Sequence, residues 1–302
     1  MVSFRTRRFH FDRKLNETKR LAICASYQQG KSADQLGTEY GVAAATIRFT
    51  LSRYGITCRS RSACQRVYAV NESAFDAPSE ARSYWIGFLM GDGNVTIRKT
   101  TAVTSLSLGA TDQNHLFKFR QFLGSNHPIS VRPLRRTDGY KDGESARIDI
   151  ASAPLARSLA AFGVVPRKSL TTAVIGLEHD RHFWRGVVDA DGSVFISEEK
   201  HPKRGRPRRR PIIVVAGAEI LMKQFSLFCA TVTDRIATVR RHSSIWTVRY
   251  SGRHAIDVVK ALYGNCSVAL DRKMAVATAI FHDFPKVNHL KTMSAIPSLS
   301  AS

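Results

Sequence analysis

The segment Tyr84-Trp85-Ile86-Gly87-Phe88-Leu89-Met90-Gly91-Asp92-Gly93 returns as Phe183-Trp184-Arg185-Gly186-Val187-Val188-Asp189-Ala190-Asp191-Gly192. Each copy is a short, mostly apolar run with small residues four apart and a terminal Asp-Gly. On a helix, Gly87 and Gly91 share a face, as do Gly186 and Ala190. Small residues at that spacing let two helix backbones approach closely. A repeat of this kind predicts two equivalent halves whose motif helices cross at a pseudo-twofold axis, with Gly87, Gly91, Gly186 and Ala190 at the crossing. Asp92 and Asp191 then stand side by side at the C-terminal ends. Gly93 and Gly192 allow a sharp exit from helix to strand.

The elements around the motifs repeat too. In the first half, helix 80–91 leads to strands at Asn94–Arg98 and Val103–Gly109, with Leu106 and Leu108 on one face. A helix from Asp112 to Leu123, strands near Ile129–Arg132 and Ala146–Ile150, and a helix at Ala153–Phe162 follow. In the second, helix 181–190 precedes strands at Ser193–Ser197 and Ile212–Ala216. A helix at Glu219–Thr231, strands at Ala237–Arg241 and Ile245–Tyr250, and a helix at His254–Tyr263 complete it. The expected class is α+β, with two pseudo-symmetric αββαββα halves. Their closing segments also correspond, 163–169 against 270–274.

A small all-α unit precedes them. A pattern from about Asn16 to Gln29 carries Leu21, Cys24, Ala25 and Tyr27 toward a core, and Gly30 ends it. Ser32 and Gln35 read as a capping box for a second short helix through Tyr40. After Gly41-Val42, a third helix from Ala44 to Tyr54 buries Ile47 and Leu51 and exposes Ala44, Ala45, Arg48, Phe49 and Ser52. This is helix-turn-helix spacing. It resembles resolvase-like and homeodomain-like domains in Gly30-Lys31-Ser32 and Tyr40-Gly41-Val42 through Thr46-Ile47. The predicted domains are therefore a basic arm and helix-turn-helix at 1–60, a linker at 61–79, halves at 80–175 and 176–282, and a tail at 283–302.

Lys and Arg outnumber Asp and Glu by 46 to 24, a formal net charge of +22. Arg pairs bidentately with phosphate and stacks on bases, so the excess points to a polyanion partner. The candidate contacts are Arg48, Arg53, Arg59 and Arg61 near the third helix. Arg135, Arg136 and Lys141 lie in the first hairpin, and Lys200, Lys203, Arg204, Arg206, Arg208, Arg209 and Arg210 in the second. In a hairpin facing nucleic acid such runs bind phosphates. No run of about 18 apolar residues spans a membrane. Five cysteines without a CxxC pair or secretory signal suggest reduced intracellular thiols; a zinc site at Cys58 and Cys64 lacks further partners.

Two carboxylates at helix C-termini repel each other and the exposed carbonyls. A divalent cation removes that conflict, and Mg²⁺ suits it because it binds through one or two carboxylates plus water and phosphate oxygens.

Both motif copies resemble the LAGLIDADG motif of homing endonucleases in its single-chain, two-motif form, over roughly residues 80–280; the second copy is close to the consensus. The resemblance implies that the last acidic residues, Asp92 and Asp191, bind the metals (Mg²⁺ or Mn²⁺), with the backbone of Gly91 and Ala190 beside them. Met90 replaces an earlier consensus Asp, and Asp189 is not a first-choice ligand. It implies saddle-shaped sheets in the major groove and hydrolysis of one phosphodiester bond per strand of double-stranded DNA, at a long asymmetric site, by a monomer acting as a pseudo-dimer. Peripheral polar and basic residues are also implied. Asp112 and Glu219 open equivalent helices and either orient water or cap; Lys168 and Lys273 are the basic candidates. The alternatives are an inactive scaffold serving as a transcriptional regulator and an RNA-splicing maturase. An intein is disfavoured, since no nucleophile stands at residue 1 and no His-Asn at the end.

Overall fold

The computed structural model describes residues 15–58, 67–99, 101–134, 143–167, 172–199 and 208–285. The chain forms two units, divided between Val67 and Tyr68.

The first unit holds three helices, α1 (Glu17–Gln28), α2 (Ala33–Tyr40) and α3 (Ala44–Arg53). The Ser32–Gln35 capping box forms in both directions. Gly41 closes α2 at φ +64°, a left-handed conformation that disfavours a side chain. Leu15, Ile23, Cys24, Tyr27, Leu36, Ile47 and Leu51 make the core. Leu21 and Ala25 do not join it, contrary to expectation. α1 turns its Ile23–Tyr27 stripe inward, which leaves Leu21 54% exposed. On α3, Ala45, Arg48, Phe49 and Ser52 are exposed as the spacing predicts, while Ala44 is half-buried.

The second unit has the expected α+β architecture. The first half runs α4 (Glu80–Gly91), β1 (Gly93–Ile97), β2 (Ala102–Gly109), α5 (Gln113–Phe122), β3 (Ile129–Leu134), β4 (Gly143–Ala151) and α6 (Ala153–Ala160). The second half repeats it as α7 (Arg181–Asp191), β5 (Gly192–Glu199), β6 (Arg208–Gly217), α8 (Glu219–Val232), β7 (Arg240–His242), β8 (Ile245–Ser251) and α9 (Arg253–Tyr263). The two antiparallel sheets have the same order, β1-β2-β4-β3 and β5-β6-β8-β7. Leu106, Leu108, Ile148 and Ile150 of one sheet, and Ile213, Val215 and Val248 of the other, enter a single core with the helices.

Three local expectations fail for physical reasons. The stretch 67–78 is not a free linker: Phe75 is buried in the α+β core, and Glu72 and Asp76 accept hydrogen bonds from Ser152 and Ser158. The strand expected at Ala237 begins only at Arg240. The backbone of Ala237 is claimed by side chains, its N–H donating to the Tyr250 hydroxyl and its carbonyl accepting from Ser226 Oγ. An unforeseen helix, α10 (Asp271–Asp283), follows the second closing segment and turns Lys273 and Ile280 into the protein.

Candidate metal centre at the helix crossing

Ser79 caps α4 by accepting the Arg82 N–H, and Asp180 caps α7 by accepting those of His182 and Phe183. The two helices cross on their small residues. A β-carbon at Gly87 would fall on the Phe183 carbonyl, and one at Gly186 on the Tyr84 carbonyl. At Gly91 it would meet Ala190 Cβ at 2.5 Å and Asp191 Oδ2 at 2.6 Å. Backbone-to-backbone contact therefore brings the helix ends together, with the Asp191 carboxylate against the main chain that carries Asp92. Both aspartates are exposed.

Lys273 completes this corner, but not as a surface base. It is 3% exposed, and its ammonium donates to the carbonyls of Val188, Asp189 and Gly192, each at 2.7 Å. Its three donors meet three carbonyls at the end of α7, where the helix leaves main-chain acceptors over; the Val188 carbonyl also accepts the Gly192 N–H. Burial lowers its pKa to about 8, against the opposing pull of Asp189, Asp92 and Asp191. The lysine thus sits within the field of both exposed carboxylates.

Asp189 faces the other way. It is 1% exposed and accepts from the hydroxyls of Tyr263 at 2.6 Å and Tyr84 at 2.8 Å and from the Leu270 N–H at 2.7 Å. Burial raises its pKa in spite of these donors. The Tyr84 hydroxyl, already donating to Asp189, accepts from His115 Nε2 at 2.8 Å. That fixes the His115 tautomer and leaves Nδ1 as a buried acceptor with no partner among the described residues. One helical turn before Tyr84, Glu80 binds the fully buried Arg185 at 2.8 Å. Arg185 also donates to the carbonyls of Leu262 and Val268. The polar ties between α4 and α7 fall on one side of the crossing. At the equivalent first-half positions the chain has Ile86 and Met90.

Among the described residues no cluster of three or more His, Cys, Asp or Glu could hold a metal. Two carboxylates and nearby carbonyls are a hard-oxygen set too small for an all-protein cage. It fits a cation such as Mg²⁺, which keeps waters and takes phosphate oxygens.

The remaining candidates separate. Asp112 ends a 3₁₀ turn and makes no capping bond; its carboxylate instead accepts from Arg272 Nε at 3.0 Å. Glu219 makes no cap either and pairs with Lys223 at 2.7 Å. Asp112 occupies the N-cap position of α5, whereas that position in α8 falls one residue before Glu219, at Ala218, so the two acids are not equivalent. Arg209 is bound to Glu198 and Asp283, Arg208 and Arg210 lie in β6, and Arg48 lies 3.6 Å from Asp34. Arg53 ends α3 and is exposed. Lys168, Arg59, Arg61, Cys64, Arg135, Arg136, Lys141, Lys200, Lys203, Arg204 and Arg206 lie outside the described residues. Sequence reasoning missed the Tyr84–Asp189–Tyr263 and Glu80–Arg185 ties, whose members are far apart in the chain.

No family model matches the sequence, and no curated protein matches it. Among solved structures, the chain is similar to the LAGLIDADG meganuclease I-AabMI bound to uncleaved DNA. The identity is 11% and the TM-score 0.46, over 66% of this chain and 88% of that one. It is also similar to the I-SmaMI LAGLIDADG homing endonuclease bound to cleaved DNA, at 11% identity and TM-score 0.44, over 68% and 88%. The LAGLIDADG meganuclease I-CpaMI bound to uncleaved DNA matches at 11% and 0.42, over 68% and 97%. No helix among the described residues is long and apolar enough to cross a membrane.

Proposed function

We propose that the chain is a site-specific double-strand DNA endonuclease that hydrolyses one phosphodiester bond in each strand. The observation that carries this reading is the duplicated crossing, which sets Asp191 against the backbone beside Asp92 in a chain of net charge +22. Asp92 and Asp191, with the carbonyls of Gly91 and Ala190, would hold Mg²⁺ or Mn²⁺. A cation held there would supply charge stabilisation at the scissile phosphate. Lys273 clamps the end of α7, which fixes Asp191, and its charge offsets the mutual repulsion of the two aspartates. The open faces of the two sheets would lie along the duplex, and the halves differ in the residues they present, so the target is asymmetric and one chain suffices. The three-helix unit would act as a helix-turn-helix that lengthens the recognised site.

The test is cleavage of a randomised duplex library with Mg²⁺ by the wild type, Asp92→Asn and Asp191→Asn. Cutting by the wild type alone is expected. Robust cutting by both variants removes the two-carboxylate mechanism. Sequence-specific retention of DNA without cutting by the wild type makes the protein a binding scaffold, and retention of RNA in preference to duplex DNA makes it a splicing factor.

A further inference from the structure

The open face of the first sheet carries an aspartate, which is unexpected on a surface meant for a polyanion. Asp149 stands directly across from Ser105 on β2 and shares its face with Arg147, two residues earlier on β4. Arg147 Nε donates to both Asp149 oxygens, at 2.9 and 3.0 Å. Its Nη2 lies 2.8 Å from Asp149 Oδ1 and donates to Ser105 Oγ at 3.0 Å. Ser105 in turn donates to Asp149 Oδ1 at 2.5 Å, and is buried beneath the pair. Burial alone would raise the Asp149 pKa, but the hydrogen bonds from Arg147 and Ser105 and the nearby Arg132 charge lower it. The carboxylate is therefore ionised at neutral pH and committed to the guanidinium.

A guanidinium has two bidentate edges. The brace occupies the Nε–Nη2 edge, and among the described residues Nη1 makes no hydrogen bond. The arginine side chain remains 44% exposed, so the Nη1–Nη2 edge is open toward whatever lies on the sheet. An unbraced surface arginine spends rotamer entropy on binding; this one has already been ordered. A phosphate can also take the fork, but its full negative charge is repelled by the adjacent Asp149 carboxylate, whereas a neutral base edge is not. A guanine edge, with its O6 and N7 acceptors, needs a fixed planar fork.

We propose that Arg147, positioned by Asp149 and Ser105, reads a guanine in the half of the target under the first sheet. This rests on the double-strand DNA reading above. The second sheet lacks the device. Gly93 pairs with Leu106 and Gly192 with Val215, which aligns the two registers. Val214 then stands in the place of Ser105, Arg249 in that of Asp149, and Thr247 in that of Arg147. The guanine is therefore specified on one side of the site only.

The experiment is selection of bound duplexes from a randomised library by the full chain, by Arg147→Ala and by Asp149→Asn. It is followed by binding of the wild type to its selected duplex with 7-deazaguanine at the assigned position. The wild-type consensus should contain a guanine column that Arg147→Ala flattens while the other columns hold. Asp149→Asn should weaken the same column, and 7-deazaguanine should reduce wild-type affinity about 5- to 50-fold, within the range of one bidentate base contact. Uniform weakening across all columns in Arg147→Ala would mean a phosphate contact, and an unchanged consensus no contact; either overturns the assignment while leaving the nuclease intact. A wild-type chain that selects no duplex sequence overturns both.

Discussion

The Asp191 carboxylate rests against the backbone of Gly91, with Oδ2 2.6 Å from where a β-carbon at position 91 would stand. Position 91 thus controls where one of the two aspartates points. Gly91→Ala must displace either Asp191 or the Ala190 methyl, which lies as close. A displacement near 1 Å at a reacting centre costs about 10²-fold in rate. Cleavage by Gly91→Ala should fall by about that factor, with DNA affinity changed only a few-fold. Single-turnover cleavage and equilibrium binding on the same duplex separate the two, and undiminished cutting would mean that Asp191 is not held by this contact.

Gly186 packs on the Tyr84 carbonyl, and a side chain there has only rigid backbone to displace. Gly186→Ala should lower the unfolding free energy by more than the usual 1–3 kcal/mol for overpacking, about 3 kcal/mol or above. Gly143→Ala, which meets nothing within 4 Å, should be nearly neutral. Urea unfolding of the two variants side by side checks the contrast.

Lys273 holds three carbonyls at the end of α7. Lys273→Met fills the same volume but takes a donor from each carbonyl. Val188 keeps the Gly192 N–H, while losing the bonds to Asp189 and Gly192 costs about 1–3 kcal/mol each. A loss of several kcal/mol is expected by urea unfolding, and Lys273→Arg should not restore it, because a planar fork cannot reach three converging carbonyls. A Lys273→Met protein as stable as wild type would place the lysine's role in chemistry alone.

The two halves, and the approach of the motif ends that carry Asp92 and Asp191, were legible because the motif repeats and because helix and strand periods survive in the apolar pattern. The polar interior was not. Lysine is almost never buried unless paired, and the partners of Lys273 are main-chain carbonyls, which carry no sequence signal. The groups around Asp189 come from positions 84, 263 and 270, a coincidence that only the helix crossing creates. The Arg147–Asp149 brace does carry a sequence signal: opposite charges two apart on an alternating strand share a face. The Asp112–Glu219 correspondence failed because both lie near helix starts, where a one-residue offset changes the role of a side chain.

His115 makes the fold acid-sensitive. Burial, then the Lys118 charge, lowers its pKa from 6.5 to about 3, with Asp271 opposing and Arg272 and Lys273 adding to the fall. Below pH 6.5 the unfolded chain binds a proton at this residue that the folded chain refuses. Stability from this group is thus complete above pH 6.5 and declines as the pH falls toward 3, at up to about 1.4 kcal/mol per pH unit. His115→Gln can still donate to the Tyr84 hydroxyl and does not titrate. Its unfolding free energy should fall less steeply between pH 6.5 and 4 than that of the wild type, and parallel curves would show that His115 is already protonated in the fold.

Residues 1–67 contain 13 Lys and Arg against 4 Asp and Glu, so +9 of the net +22 belongs to less than a quarter of the chain. None of the proposed metal-binding residues lies there, and the contact division falls at the end of this stretch. Its third helix exposes Ala45, Arg48, Phe49 and Ser52 along one face, a surface suited to a duplex groove. A chain beginning at Tyr68 should therefore keep Mg²⁺-dependent cutting and lose affinity. Each phosphate contact removed lowers the slope of log affinity against log salt by about 0.9, so the truncated protein should bind with a shallower salt dependence. Its selected consensus should also be shorter. A folded truncation that has lost all cutting would show that the three-helix unit contributes to the chemistry, and one with an unchanged salt slope would show that it does not touch the duplex.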